Sequence, residues 1–232
     1  MKNILFLFVF LLPIFASAQD VNLLDANGKR HGVWKKNFDN TKVLRYQGTF
    51  FHGKEIGEFK FYKNVNGKAV LAANKQFNKD NNIAQVSFYA STGKLISEGQ
   101  MNGKLYIGTW TYYQNKTKNI LSKDTYNDKG ELHGERLVYY DDGVLAQTET
   151  YVNGKLHGPS IWYTEKSVVV KKYVYDQGEL HGPATFFDKD GVLILEGQYQ
   201  RDRKHGLWKY YENGKLVKEK DFTRKSNNPY KR

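Results

Sequence analysis

The feature that most constrains this 232-residue chain is a short motif that returns at almost fixed intervals. Six segments align by eye: Asn27-Gly-Lys-Arg-His-Gly32, His52-Gly-Lys-Glu-Ile-Gly57, Lys129-Gly-Glu-Leu-His-Gly134, Asn153-Gly-Lys-Leu-His-Gly158, Gln177-Gly-Glu-Leu-His-Gly182 and, with one extra residue, Asn102-Gly-Lys-Leu-Tyr-Ile-Gly108. A seventh, ending at Gly206, has lost its first glycine, and a decayed eighth runs from Asp80 to Ala84. The final residues fall at 32, 57, 84, 108, 134, 158, 182 and 206, in steps of 25, 27, 24, 26, 24, 24 and 24. Self-similarity on this scale marks copies of one supersecondary unit that cannot bury its apolar surface alone and stacks on its neighbours.

Each unit reads as two strands. After the marker residue comes a segment ending in aromatics, such as Trp34, Phe59 with Phe61, Trp110 with Tyr112, Trp162 or Trp208 with Tyr210. A turn dipeptide follows: Asn66-Gly67, Thr92-Gly93, Asp142-Gly143, Asp190-Gly191 or Asn213-Gly214. Such pairs accept the positive φ angles of tight hairpin turns. Then a second strand, for example Val192 to Tyr199, leads to the next motif. No helical period competes with this alternation. The expected fold is all-β: an elongated, antiparallel, single-layer sheet of about eight tandem hairpins, on the order of 75 Å long at ~4.8 Å per strand. Gly32, Gly57, Gly108, Gly134, Gly158, Gly182 and Gly206 are its structural repeat positions.

Glu196-Gly-Gln-Tyr199 followed by Arg203-Lys-His-Gly-Leu-Trp-Lys-Tyr-Tyr211 resembles the MORN (membrane occupation and recognition nexus) repeat. The likeness is nearest to the bacterial variant seen in exported proteins and in proteins named as antitoxin-like. It extends over about residues 25 to 222. It implies an extended, twisted antiparallel sheet used for contact with membranes, lipids or proteins.

The ends differ from this pattern. Met1-Lys2-Asn3, an apolar run from Ile4 to Phe15 and Ala16-Ser17-Ala18 read as a signal peptide, residues 1–18, too short to span a bilayer. An export route to the periplasm, envelope or exterior is therefore expected. A lead-in at 19–24, a repeat domain at 25–222 and a basic mobile tail at 223–232 complete the division. Lys116 to Lys123 also read as basic and poor in strand formers.

Cysteine is absent, which excludes disulfides, thiolate metal sites and cysteine nucleophiles. The formal charge is +12, favouring anionic partners: a protein or anionic envelope polymer, or an anionic lipid surface, with nucleic acid improbable for an exported chain. Motifs for a serine elbow, a zinc protease helix or a phosphate-cradling loop are missing, so no catalytic residue and no cofactor is expected. Five histidines, His31, His133, His157, His181 and His205, share one repeat position. Adjacent repeats stand ~10 Å apart and metal ligands ~2 Å from their ion, so no metal site is expected.

Aromatics at alternate positions divide between two faces. Trp34, Trp110, Trp162 and Trp208 read chiefly as core. Tyr113, Tyr139, Tyr163 and Tyr211 point the other way and, with Trp162, are the candidate binding residues. A non-catalytic binding or scaffold module is the leading expectation, peripheral lipid binding and toxin neutralisation the alternatives.

Overall fold

The computed structural model describes residues 20–223, so the signal peptide and all of the tail but Thr223 lie outside the described residues. The described chain is all-β, with no helix. Its first strands are β1 (Leu23–Leu24), β2 (Arg30–Asn37), β3 (Leu44–Phe51), β4 (Lys54–Val65), β5 (Lys68–Phe77), β6 (Ile83–Tyr89), β7 (Leu95–Asn102), β8 (Leu105–Tyr113) and β9 (Ile120–Tyr126). The rest are β10 (Leu132–Tyr139), β11 (Leu145–Val152), β12 (Lys155–Tyr163), β13 (Val169–Asp176), β14 (Glu179–Leu180), β15 (Gly182–Phe187), β16 (Leu193–Gln200), β17 (Arg203–Glu212) and β18 (Lys215–Asp221).

Each strand pairs antiparallel with its sequence neighbour, from β1 with β2 to β17 with β18. The two-residue β14 lies on β13, which continues beyond it to β15. The result is one open meander of eighteen strands, on the order of 80 Å across at ~4.8 Å per strand. Two boundaries differ from expectation. Leu23 and Leu24, assigned to the lead-in, form an edge strand on β2. The segment 116–123, read as basic and poor in strand formers, nonetheless enters β9 from Ile120 onward, held by the pairs Tyr113↔Ile120 and Tyr112↔Ser122.

The marker glycines sit inside strands, not at hairpin tips. All seven adopt positive φ, from +63° at Gly108 and Gly206 to +102° at Gly182. At six of them the ladder bulges. In β3–β4 the register passes from Gln47↔Lys60 to Thr49↔Ile56, so three residues stand opposite Gly48. The same jump occurs at Gly108, Gly134, Gly158 and Gly206, and at Gly182 between Tyr175↔Leu180 and Lys172↔Thr185. At the decayed copy the marker is Ala84, and β5–β6 run without interruption from Ala73↔Phe88 to Phe77↔Ala84. A Cβ penalises the left-handed conformation, so the bulge disappears where the glycine does.

The turns are of two kinds. Asn66-Gly67 and Asn213-Gly214 have positive φ at both residues, as tight two-residue hairpins require. At Thr92-Gly93, Asp142-Gly143 and Asp190-Gly191 only the glycine does. There a longer turn is closed by bonds such as Ala90 N–H to Lys94 O at 2.8 Å and Gly93 N–H to Ala90 O at 2.9 Å.

Candidate interaction surface

The bulge throws the residue two places after each marker glycine flat across the neighbouring strand, and this creates the core on one face. Phe59, Trp110 and Trp208 are fully buried. Each lies on a glycine of the preceding strand. A Cβ built on Gly48 would sit 2.4 Å from the Phe59 ring, on Gly99 2.6 Å from Trp110, and on Gly197 2.3 Å from Trp208. The indole N–H groups of Trp110 and Trp208 donate to the carbonyls of Gln100 and Gln198 at 2.8 and 3.1 Å.

Where the incoming residue is small, its partner is large. Glu149 is paired with Ser160, and the bulge between Tyr175↔Leu180 and Lys172↔Thr185 sets Ala184 on the segment facing Tyr173 and Val174, with both small residues buried. One rung thus holds glycine and indole, another phenol and methyl, and the volume between strands is conserved. Aromatics two apart share this face as expected: the rings of Phe59 and Phe61 are 6.0 Å apart and those of Trp110 and Tyr112 6.4 Å.

The tyrosine row lies on the opposite face. Tyr113 and Tyr211 donate through their hydroxyls to Glu98 and Glu196 at 2.5 and 2.7 Å. Glu98 and Glu196 each flank a glycine that carries an indole on the other side. The carboxylate of Glu98 holds the Tyr113 hydroxyl protonated, pushed up to about 12, and Glu196 raises Tyr211 likewise. Tyr139 and Tyr163 occupy the same repeat position and are half-buried. Trp162 does not join them. It sits with the core set, edge-on to Tyr173 at 5.3 Å, two residues beyond buried Ser160, because strand alternation puts it on that face.

A second series completes the tyrosine face. Beside each of these tyrosines the second strand carries one unpaired bulge residue, since the register steps from Tyr112↔Ser122 to Tyr113↔Ile120 and from Tyr210↔Lys218 to Tyr211↔Leu216. Leu121 and Val217 hold that position beside Tyr113 and Tyr211, and Ile96 and Ile194 hold it beside Tyr89 and Phe187 at the same register; all four are exposed, whereas Ala146 and Val170, beside Tyr139 and Tyr163, are half-buried. Two basic grooves also open on the sheet. One, of about 680 Å³, is lined by Leu95, Tyr113, Lys116 and Lys118, with Lys94 donating to the carbonyls of Gln114 and Asn115. The other, of about 530 Å³, is lined by Arg201, Arg203, Lys204 and His205.

Two clusters escaped the sequence. In mid-sheet the core rung is ionic: Arg136 donates to Asp124 at 3.2 Å and to Glu149 at 2.9 Å, and Gln147 and Tyr151 complete the Glu149 shell at 2.7 and 3.0 Å. Burial, then Glu149, lifts the Tyr151 phenol to about 12. At the N-terminal edge, His52 Nδ1 lies 2.6 Å from Asp25 Oδ2, and that contact first, then backbone N–H donors, lowers the Asp25 carboxyl to about 2. His31 stands beside them, its ring 4.9 Å from His52. His52 is not on the histidine ladder, so the ~10 Å spacing of like positions does not apply to this cluster.

Comparison with known proteins bears on the repeat. No curated protein matches the chain. A solved S. aureus TarM mutant in complex with Fondaparinux, alpha-GlcNAc-glycerol and UDP is similar at 12% identity over 53% of this chain and 21% of that one, with a TM-score of 0.33. The chain spans about a fifth of that protein's length. The MORN repeat variant family model matches residues 132–153, 180–201 and 204–223. Within residues 132–223 the chain therefore carries repeats of the MORN variant family, and the remaining copies continue them in the same sheet.

Proposed function

We propose that the protein is a non-catalytic, exported binding module whose tyrosine face engages a protein or anionic polymer of the cell envelope. The observation that carries this is the exposed series of Ile96, Leu121, Ile194 and Val217 alongside the aromatics Tyr89, Tyr113, Phe187 and Tyr211, repeated on one face while the opposite face is filled by its own aromatics. Apolar groups regularly exposed on a sheet face are ligand-contact features when a packed core already exists on the other side. Lysines and arginines of the two grooves and the +12 charge supply attraction to an anionic partner.

The test is binding of the purified chain to a polyanionic matrix across a salt series, compared with Tyr139→Ser/Tyr163→Ser and Leu121→Ser/Ile194→Ser. Salt-sensitive retention that weakens in both variants supports the assignment; retention unchanged in both, or none at low salt, refutes it. Co-sedimentation with vesicles containing or lacking anionic lipid distinguishes the membrane alternative. Pelleting that needs the anionic lipid and fails in the same variants moves the partner from polymer to bilayer.

A further inference from the structure

The N-terminal edge of the sheet gathers three metal-ligating side chains that the repeat itself does not require. Asp25, His31 and His52 each offer a donor atom within 4.8 Å of the other two. Asp25 is oriented by its own turn: Oδ1 accepts the backbone N–H groups of Asn27 and Lys29 at 2.8 and 2.9 Å, leaving Oδ2 against the His52 ring. His31 Nδ1 is buried and makes no hydrogen bond among the described residues.

The same scaffold recurs elsewhere in the chain with different chemistry. The turn closed by Asp25 N–H to Lys29 O is repeated by Asn127 N–H to Glu131 O, and Asn127 Oδ1 accepts the N–H of Lys129 and Glu131. Opposite Asn127 stands Asn153, with φ +49°, as His52 with φ +48° stands opposite Asp25. There Asn127 Nδ2 donates to Asn153 Oδ1 at 3.4 Å, and the N–H of Asn153 donates to His133 Nδ1 at 3.4 Å. Amides therefore suffice to hold the fold at this place. The left-handed slot of His52 is filled by Asn153 and Gln177 in other copies. In the first copy a carboxylate and a second imidazole replace the amide pair beside an imidazole with a free nitrogen.

We propose that Asp25, His31 and His52 form a binding site for a divalent first-row transition ion such as zinc. Two imidazoles and one carboxylate are a common donor set for such ions, with the fourth, tetrahedral position open to water or an incoming ligand. In a tetrahedral site with bonds of ~2.0–2.1 Å the donors stand ~3.3 Å apart, so the Asp25–His52 contact opens by under ~1 Å and His31 moves inward. The backbone N–H groups on Asp25 Oδ1 act as the outer shell that fixes the carboxylate. His52, with 53% of its side chain exposed, leaves the site open to solvent.

The test is zinc titration of the untagged full chain by calorimetry, with cobalt absorption as an independent reading of tetrahedral coordination. Two variants use residues the fold already accepts at equivalent places: Asp25→Asn/His52→Asn, which copies Asn127 and Asn153, and His31→Ile, which copies Ile56 and Ile107. The expected result is one equivalent bound by the native chain, affinity reduced beyond the ~10–100-fold that loss of an outer-shell partner costs, and a zinc-dependent rise in thermal midpoint confined to the native chain. No zinc binding by the native chain overturns the proposal. So does binding that persists unchanged in either variant.

Discussion

Exchanging the members of one core rung tests whether the sheet is held by volume matching across strands. At Gly99 an added Cβ would lie 2.6 Å from Trp110, well inside ordinary carbon contact, and the indole has no room to withdraw. Tyr106 stacks on it at 4.0 Å between centroids and 16° between planes, Phe88 lies at 5.8 Å, and its N–H is bound to Gln100 O. Gly99→Tyr, whose Cβ alone already meets the ring, is therefore expected to cost at least about 3 kcal/mol, the upper end for overpacking. Trp110→Ala empties a fully buried indole site and is expected to cost about 4 kcal/mol. If the losses simply added, the double variant would lose at least about 7 kcal/mol, comparable with the lower part of the usual total of about 5–15 kcal/mol. The chain itself, however, sets a phenol and a methyl across the bulge that holds Tyr173 and Ala184. Gly99→Tyr combined with Trp110→Ala copies that rung, and at least about 2 kcal/mol of favourable coupling is expected in the double-mutant cycle. Urea unfolding followed by circular dichroism in the β-sheet region measures it. Additivity within about 0.5 kcal/mol would refute volume matching as the rule.

Four further outcomes follow from particular contacts. Gly158→Ala, at φ +95°, is expected to lose about 1–2 kcal/mol in the same assay, whereas Ala84→Gly, where no bulge exists, gives no stabilisation. Arg136→Met strands Asp124 and Glu149 and is expected to cost about 3 kcal/mol, the low end for breaking a buried pair because the guanidinium side chain keeps 31% exposure. The Asp25 carboxyl, lowered to about 2, contributes stability that is present above the ordinary value of 3.8 and lost as pH falls toward 2; in His52→Asn its NMR titration midpoint moves up, and an unmoved midpoint contradicts the pairing. Glu98→Gln should bring the Tyr113 phenol down from about 12 toward 10, as read by ultraviolet titration.

The period and the alternation of aromatic residues were enough to anticipate hairpins stacked in one antiparallel sheet and the two faces that result. Trp110 with Tyr112, and Tyr113 turned to the other side, follow from strand geometry alone. The bulge was not foreseen, because a glycine following four other residues looks the same at a turn as inside a strand. The contrast between Gly108 and Ala84 was the available signal: the degenerate copy had lost the one residue whose φ matters. Trp162 stands among the candidate binding residues, yet its offset from Gly158 matches that of Tyr112 from Gly108, not that of Tyr113. The Asp25–His52 contact was hidden for a different reason. It joins two turns in successive copies at unlike repeat positions, so a search along the period passes over it. The departure of His52 from the asparagine of Asn153 was the clue.

The imperfect copies define what the repeat must conserve. Phe59, Trp110 and Trp208 on glycines, Ser160 under Glu149 and Ala184 under Tyr173 preserve the summed size of each rung but not its residues. Backbone pairing is indifferent to which side chain supplies that volume, provided the marker glycine can bend the strand. The core face can therefore drift in pairs. Arg136 between Asp124 and Glu149 carries this furthest, filling the core position with an ion pair whose hydrogen bonds are nearly complete. The tyrosine face has no such partner strand to answer to. Tyr113, Tyr139, Tyr163 and Tyr211 remain tyrosine at the same register although only Tyr113 and Tyr211 have a carboxylate to hold their hydroxyls. Packing within the sheet explains the first pair, and the outward face of Tyr139 and Tyr163 is where contact with another molecule has the most to act on.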